Sequence, residues 1–116
     1  MTNDPAVTNP DLYKIVFENA RVRVLEYNDR PGDRTTPHRH PDSVMITLSD
    51  FDRRLVVGDQ SREVSLVANQ AMWLPAQTHA GENIGTSDTH TIFVELKDAS
   101  SAATSSGLGE LGPRQP

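Results

Sequence analysis

Three of the four histidines in this chain are placed so that their types and spacing could do chemistry. His38 and His40 stand one residue apart. In an extended strand alternate side chains point to the same face, so both imidazoles face one way. Joined by His79 from elsewhere in the chain, they can present three nitrogens to one side of a metal ion. Imidazole suits zinc, copper, iron or nickel, and a catalytic ion needs open positions opposite its protein ligands. The chain has no cysteine, which excludes disulfides and thiolate ligands and leaves histidine and oxygen as donors.

The elements that must position these residues read as short strands. Apolar and β-branched runs fall at 12–17, 21–27, 44–48, 54–57, 71–74 and 89–96. Between 54–57 and the alternating Val64 and Leu66, the run Gly58-Asp59-Gln60-Ser61 supplies a hairpin turn. Val22 and Val24 alternate in phase, and so do His90, Ile92, Val94 and Leu96. No stretch sustains a helical period. Runs of this length and spacing, broken by Gly, Asn, Asp and Pro, predict an all-β sandwich or barrel.

Length and charge narrow the classes. A chain of 116 residues supports one domain. Residues 1–11 read as an extended N-terminal segment and 12–98 as the domain. Residues 99–116 read as a flexible Ala/Ser/Gly-rich tail, with too little apolar surface to offset its ordering entropy. A net charge of −5 with no basic stripe argues against a nucleic-acid partner. No apolar run approaches the roughly 20 residues of a membrane span, and 1–10 lacks the basic and apolar regions of a secretory signal. A cytoplasmic protein without a membrane partner is expected.

The stretches Gly32-Asp33-Arg34-Thr35-Thr36-Pro37-His38-Arg39-His40 and Pro75-Ala76-Gln77-Thr78-His79-Ala80-Gly81-Glu82-Asn83 resemble the two sequence motifs of the cupin superfamily. The resemblance implies a jelly-roll barrel of two antiparallel sheets and a divalent metal ion (Fe, Zn, Ni or Mn) held by His38, His40 and His79. Gly32 and both histidines fit the first motif, but Val44 and Met45 occupy the positions where its glutamate would fall, and its later glycine is missing near Phe51. In the second motif Asn69 replaces a glycine, Pro75 stands, His79 arrives one residue early, and Asn83 keeps its place. Three neutral histidines without a carboxylate leave the ion its full double charge, which suits anionic ligands.

Other residues are candidates for pocket or supporting groups. Asp42 could replace the missing carboxylate, although Pro41 favours a bend and a solvated turn aspartate. Met45 reads as lining or core, and Trp73 as core or a stacking platform. Asn83 follows His79 in phase, whereas Glu82 is out of phase and reads as an outward salt bridge. His90, in phase with Ile92 and Val94, reads either as an inward fourth ligand or base or, more plainly, as a capped strand-end histidine. Arg39, Arg21 and Arg23 are expected to face solvent.

The chain is similar to small bacterial single-domain cupins, some of which are associated with β-alanine degradation. This resemblance implies a metal-dependent enzyme, of dioxygenase, lyase or isomerase type, acting on a small oxygen-rich ligand such as a carboxylate or diketone. The alternatives are a non-catalytic binding or sensing module and a structural barrel. Exposed strand edges in so small a domain predict a homodimer.

Overall fold

Alternating burial along short strands sets the architecture, and in this computed structural model it is described for residues 4–97 and 111–113. Nine strands are described: β1 (Tyr13–Glu18), β2 (Val22–Asp29), β3 (His38–His40), β4 (Ser43–Thr47), β5 (Phe51–Val57), β6 (Gln60–Leu66), β7 (Ala71–Leu74), β8 (Gln77–Asn83) and β9 (Thr89–Leu96). They form two antiparallel sheets, one ordered β1-β2-β9-β4-β7 and the other β3-β8-β5-β6. This is the expected all-β jelly roll. The strands at 71–74 and 89–96 have the expected bounds, and the Val57–Gln60 hairpin turns where Gly58 adopts φ 60°.

The core lies between the sheets and contains Leu25, Tyr27, Met45, Phe51, Leu66, Met72, Leu74 and Phe93. Leu25 and Leu74 are 0% and 1% exposed. Burial of each such side chain stabilises the fold by about 1.5–3 kcal/mol.

Two strands present the opposite face to the one their apolar residues suggest. In β9 the buried residues are Thr89, Thr91, Phe93 and Glu95, while His90, Ile92, Val94 and Leu96 lie on the outer face. In β2 the buried residues are Leu25, Tyr27 and Asp29, with Val22 and Val24 only half-buried. Arg23 shares the phase of Leu25 and does not face solvent as expected. Its guanidinium is 14% exposed and pairs with Asp4 at 2.7 Å and buried Glu95 at 2.8 Å. A charged residue can occupy an inward position here because two carboxylates neutralise it.

The N-terminal segment is not simply extended. Asp4 caps a one-turn helix, α1 (Pro5–Thr8), accepting the Ala6 N–H at 2.8 Å. Asn9 follows, buried, and accepts the Thr36 N–H at 2.9 Å, which ties α1 to the loop entering β3. Most of the expected flexible tail, residues 99–110 and 114–116, lies outside the described residues, as does residue 98. Residues 111–113 are described, with Gly112 and Pro113 buried against the barrel.

Candidate metal centre

The alternation of β3 places His38 and His40 inward, 1% and 0% exposed, and turns Arg39 outward as expected. Strand β8 runs antiparallel beside β3 with His79 directly opposite His38. Ligand atoms of the three histidines lie within 4.8 Å of one another. The rings stand nearly perpendicular, His38 to His40 at 86° and His38 to His79 at 89°, so they converge rather than stack.

What each ring does with its other nitrogen decides the chemistry. His38 Nδ1 is 2.8 Å from the Thr36 carbonyl, His40 Nδ1 is 3.1 Å from Glu95 Oε2, and His79 Nδ1 is 2.8 Å from Gln77 Oε1. All three partners are acceptors; a nearby donor, Asn9 Nδ2, is farther from His38 Nδ1 at 3.5 Å and donates to Thr8 Oγ1 at 2.8 Å. The Gln77 amide is oriented by its own bonds, since Nε2 donates to the Pro75 carbonyl at 3.0 Å and Oε1 accepts the Gly112 N–H at 2.9 Å. Each histidine therefore carries its proton on Nδ1 and keeps a lone pair on Nε2. Such outer hydrogen bonds are what fix the tautomer and orientation of a metal-bound imidazole. The donor set therefore fits a divalent ion.

Electrostatics agree. Burial pushes the His40 and His79 pKa values well below the usual imidazole value and lowers that of His38, and neighbouring histidines reinforce the effect at His40 and His79. Burial raises the Glu95 carboxyl pKa, opposed by Arg23. Tyr13 approaches Nε2 of both His38 and His40 at 3.3 Å. Burial holds its phenol pKa well above the ordinary value, so the hydroxyl is a donor shared between two lone pairs.

A pH dependence follows. The unfolded chain takes up protons on histidine near pH 6.5, whereas the folded imidazoles resist until lower pH. Stability present above about pH 6.5 is therefore lost as pH falls below it. Glu95 acts with the opposite sign, in the carboxylate range. The melting temperature of the metal-free protein should fall between about pH 7 and 5.5, and a flat thermal-denaturation profile over that window would contradict the neutral cluster.

Beneath the histidines is a cavity of about 40 Å³. Met45, Phe51, Leu55, Leu74 and Phe93 supply apolar wall, and Tyr13, Tyr27, Arg53 and Thr91 supply polar groups. Arg53 was not singled out by sequence reasoning. Its guanidinium donates to Asp29 Oδ2 at 2.6 Å, Thr89 Oγ1 at 3.1 Å and the Tyr27 hydroxyl at 3.2 Å. Tyr27 in turn donates to Asp29. A Cβ on residue 81 would lie 2.7 Å from Arg53 Nη2, so Gly81 gives the guanidinium its room. Pro113 also lines the cavity. It is held there through Gly112, which has φ 94° and whose Cβ would meet Leu55 Cδ1 at 2.7 Å.

The other sequence candidates divide. Met45 lines the cavity, and Asn83 donates to Asp29 Oδ1 at 3.0 Å, one step behind Arg53. Asp42 accepts the Ala76 N–H at 2.8 Å and braces the turn before β8. Trp73 is 38% exposed on the outer face, and His90 bonds Glu26 at 2.6 Å on that same face, so neither reaches the cavity. Glu82 pairs outward with Arg54 and Arg34 as expected. Glu95 was missed as a site residue because a lone glutamate in an apolar strand reads as solvent-facing.

No family model matches the sequence, and neither does any curated protein. Solved structures do match. A cupin domain from Bordetella pertussis Tohama I is 24% identical, with a TM-score of 0.69, over 74% of this chain and 92% of that one. A double-stranded β-helix domain from Klebsiella pneumoniae is 19% identical, with a TM-score of 0.59, over 89% of this chain and 84% of that one. The polyketide cyclase RemF from Streptomyces resistomycificus is 15% identical, with a TM-score of 0.58, over 90% of this chain and 70% of that one. The chain has the double-stranded β-helix fold of cupin domains, with a three-histidine cluster compatible with a divalent metal. Among the described residues no helix is long and apolar enough to cross a membrane.

Proposed function

We propose that the chain is a metal-dependent cupin enzyme acting on a small oxygen-rich metabolite, a carboxylate or diketone. The observation that carries this reading is the convergence of three buried histidines, with ligand atoms within 4.8 Å of one another, whose Nδ1 atoms each face an acceptor and so leave Nε2 for the ion. His38, His40 and His79 would hold the ion, drawn from Fe, Zn, Ni or Mn. When bound, it would supply Lewis acidity toward a ligand carbonyl or carboxylate. Tyr13, released from the two Nε2 atoms it now contacts, has a proton to donate to a ligand oxygen. The apolar wall excludes water and strengthens those interactions. The resemblance to cupins associated with β-alanine degradation is compatible with a small carboxylate.

The second reading is a non-catalytic binding or sensing module. Both readings predict that a chelating acid such as pyruvate stabilises the metal-loaded protein through linkage, by about 2.7 kcal/mol at a hundredfold excess over its dissociation constant, and so raises its melting temperature. An enzyme also yields product from some member of that class, and a binder yields none. A metal-loaded protein that no chelating acid stabilises would contradict both.

The assembly reading is a homodimer, and its support is the outer face of the five-stranded sheet. Phe17, Val24, Val94, Val44 and Trp73 stand in register across all five strands. Ile46 and Ile92 lie beside them, paired in the adjacent row. So continuous an apolar face marks an interaction surface, and a second copy is the occupant proposed. Val94→Asp, at its centre, should yield monomer by light scattering. Wild type that stays monomeric at high micromolar concentration would overturn the assignment.

A further inference from the structure

We infer that the cavity beneath the histidines is an oxyacid subsite, in which Thr91 and Arg53 grip one end of a small two- or three-carbon carboxylate. The inference rests on the proposed metal site, because the other end of that ligand faces His38 and His79. It narrows the substrate class from oxygen-rich metabolites in general to short acids, and it assigns the residues that select them.

Thr91 is the first observation. It is 1% exposed, it lines the cavity, and among the described residues its Oγ1 is the buried side-chain polar atom without a hydrogen-bond partner. A buried hydroxyl left unpaired costs stability. Its neighbours on the inward face are satisfied: Thr89 Oγ1 accepts from Arg53 and Glu95 bonds His40 and Arg23. The orphan belongs to a cavity-lining residue, and rotation about χ1 would bring it to a ligand oxygen that completes it.

Arg53 is the second observation. A guanidinium has five N–H donors, and the bonds to Asp29, Thr89 and Tyr27 use three of them. The remaining donors belong to a side chain 9% exposed that lines the same cavity. Asp29 fixes its position and Gly81 leaves it room, so the fork is held ready without a ligand. Guanidinium donors match a carboxylate edge. Size supplies the third constraint. The cavity is small, about 40 Å³, which favours a short acid such as glycolate over long or branched ones.

The test uses the full chain loaded with zinc and titrated with glycolate by calorimetry. Thr91→Val keeps shape and removes the hydroxyl. It should bind glycolate about tenfold more weakly with unchanged zinc content, while the ligand-free protein melts about 4–8 °C higher, since the unpaired hydroxyl is gone. Thr91→Ser should keep glycolate affinity within about threefold. 2-Hydroxyhexanoate, with the same chelating head, should bind far more weakly than glycolate to wild type. Equal glycolate affinity in wild type and Thr91→Val at equal zinc content would overturn the subsite, as would tight binding of the longer acid; a water-filled cavity gives that outcome. Absence of zinc from wild type would instead overturn the metal site. The subsite is then decided on the metal-free protein, where glycolate must raise the melting temperature of wild type and not of Thr91→Val.

Discussion

Asp29→Ala should cost about 3–5 kcal/mol of folding stability, the penalty for stranding a buried cation. Asp29 has a fully buried side chain and accepts from Arg53 at 2.6 Å, Asn83 at 3.0 Å, the Thr89 N–H at 3.3 Å and the Tyr27 hydroxyl. Its removal leaves the Arg53 guanidinium without a counter-charge against apolar wall. A domain of this size has about 5–15 kcal/mol in total, so the variant should lose a large share of its stability. Arg53→Met in the same chain should recover most of the loss, because no charge is then stranded. Urea denaturation of the two single variants and the double variant checks this. A double variant as unstable as the sum of the singles would contradict the account.

The second large effect concerns the histidines. His40→Ala removes a proposed ligand and should weaken divalent-metal binding by more than a hundredfold. Glu95→Gln keeps the imidazole but loses the carboxylate that orients it, and should cost about tenfold to a hundredfold. His90→Ala should leave affinity unchanged, because His90 lies on the outer face bonded to Glu26. Competition against a chromophoric chelator reads all three. Equal loss in His40→Ala and His90→Ala would contradict the assignment.

Local periodicity made one part of the site legible. Alternation alone puts His38 and His40 on one face, and burial of both with Arg39 outward agrees. His79 came from motif resemblance, and its place opposite His38 is a register between distant strands that no local pattern encodes. The phase of β9 runs against its apolar pattern for a physical reason. Its outer face, with Ile92, Val94 and Leu96, is more apolar than the inner face, with Thr89, Thr91 and Glu95, which serves the cavity and His40. The rule that the apolar face is the core face fails where one side builds a polar site and the other is a broad apolar surface. Arg53, Glu95 and Tyr13 escaped notice alike, since charged or hydroxylated residues in short strands read as surface until a partner from another strand is seen. Helix α1 escaped because a single turn carries no period.

The central claim is that three neutral imidazoles hold one divalent ion, and the metal content of wild-type protein, purified without a histidine tag or chelator, tests it most directly. Elemental analysis should find about one equivalent per chain at neutral pH, released only as pH falls well below the ordinary imidazole range, where the buried histidines protonate. Protein that contains no metal, and that takes up none from a micromolar excess of zinc, iron, nickel or manganese at pH 7.5, would contradict it.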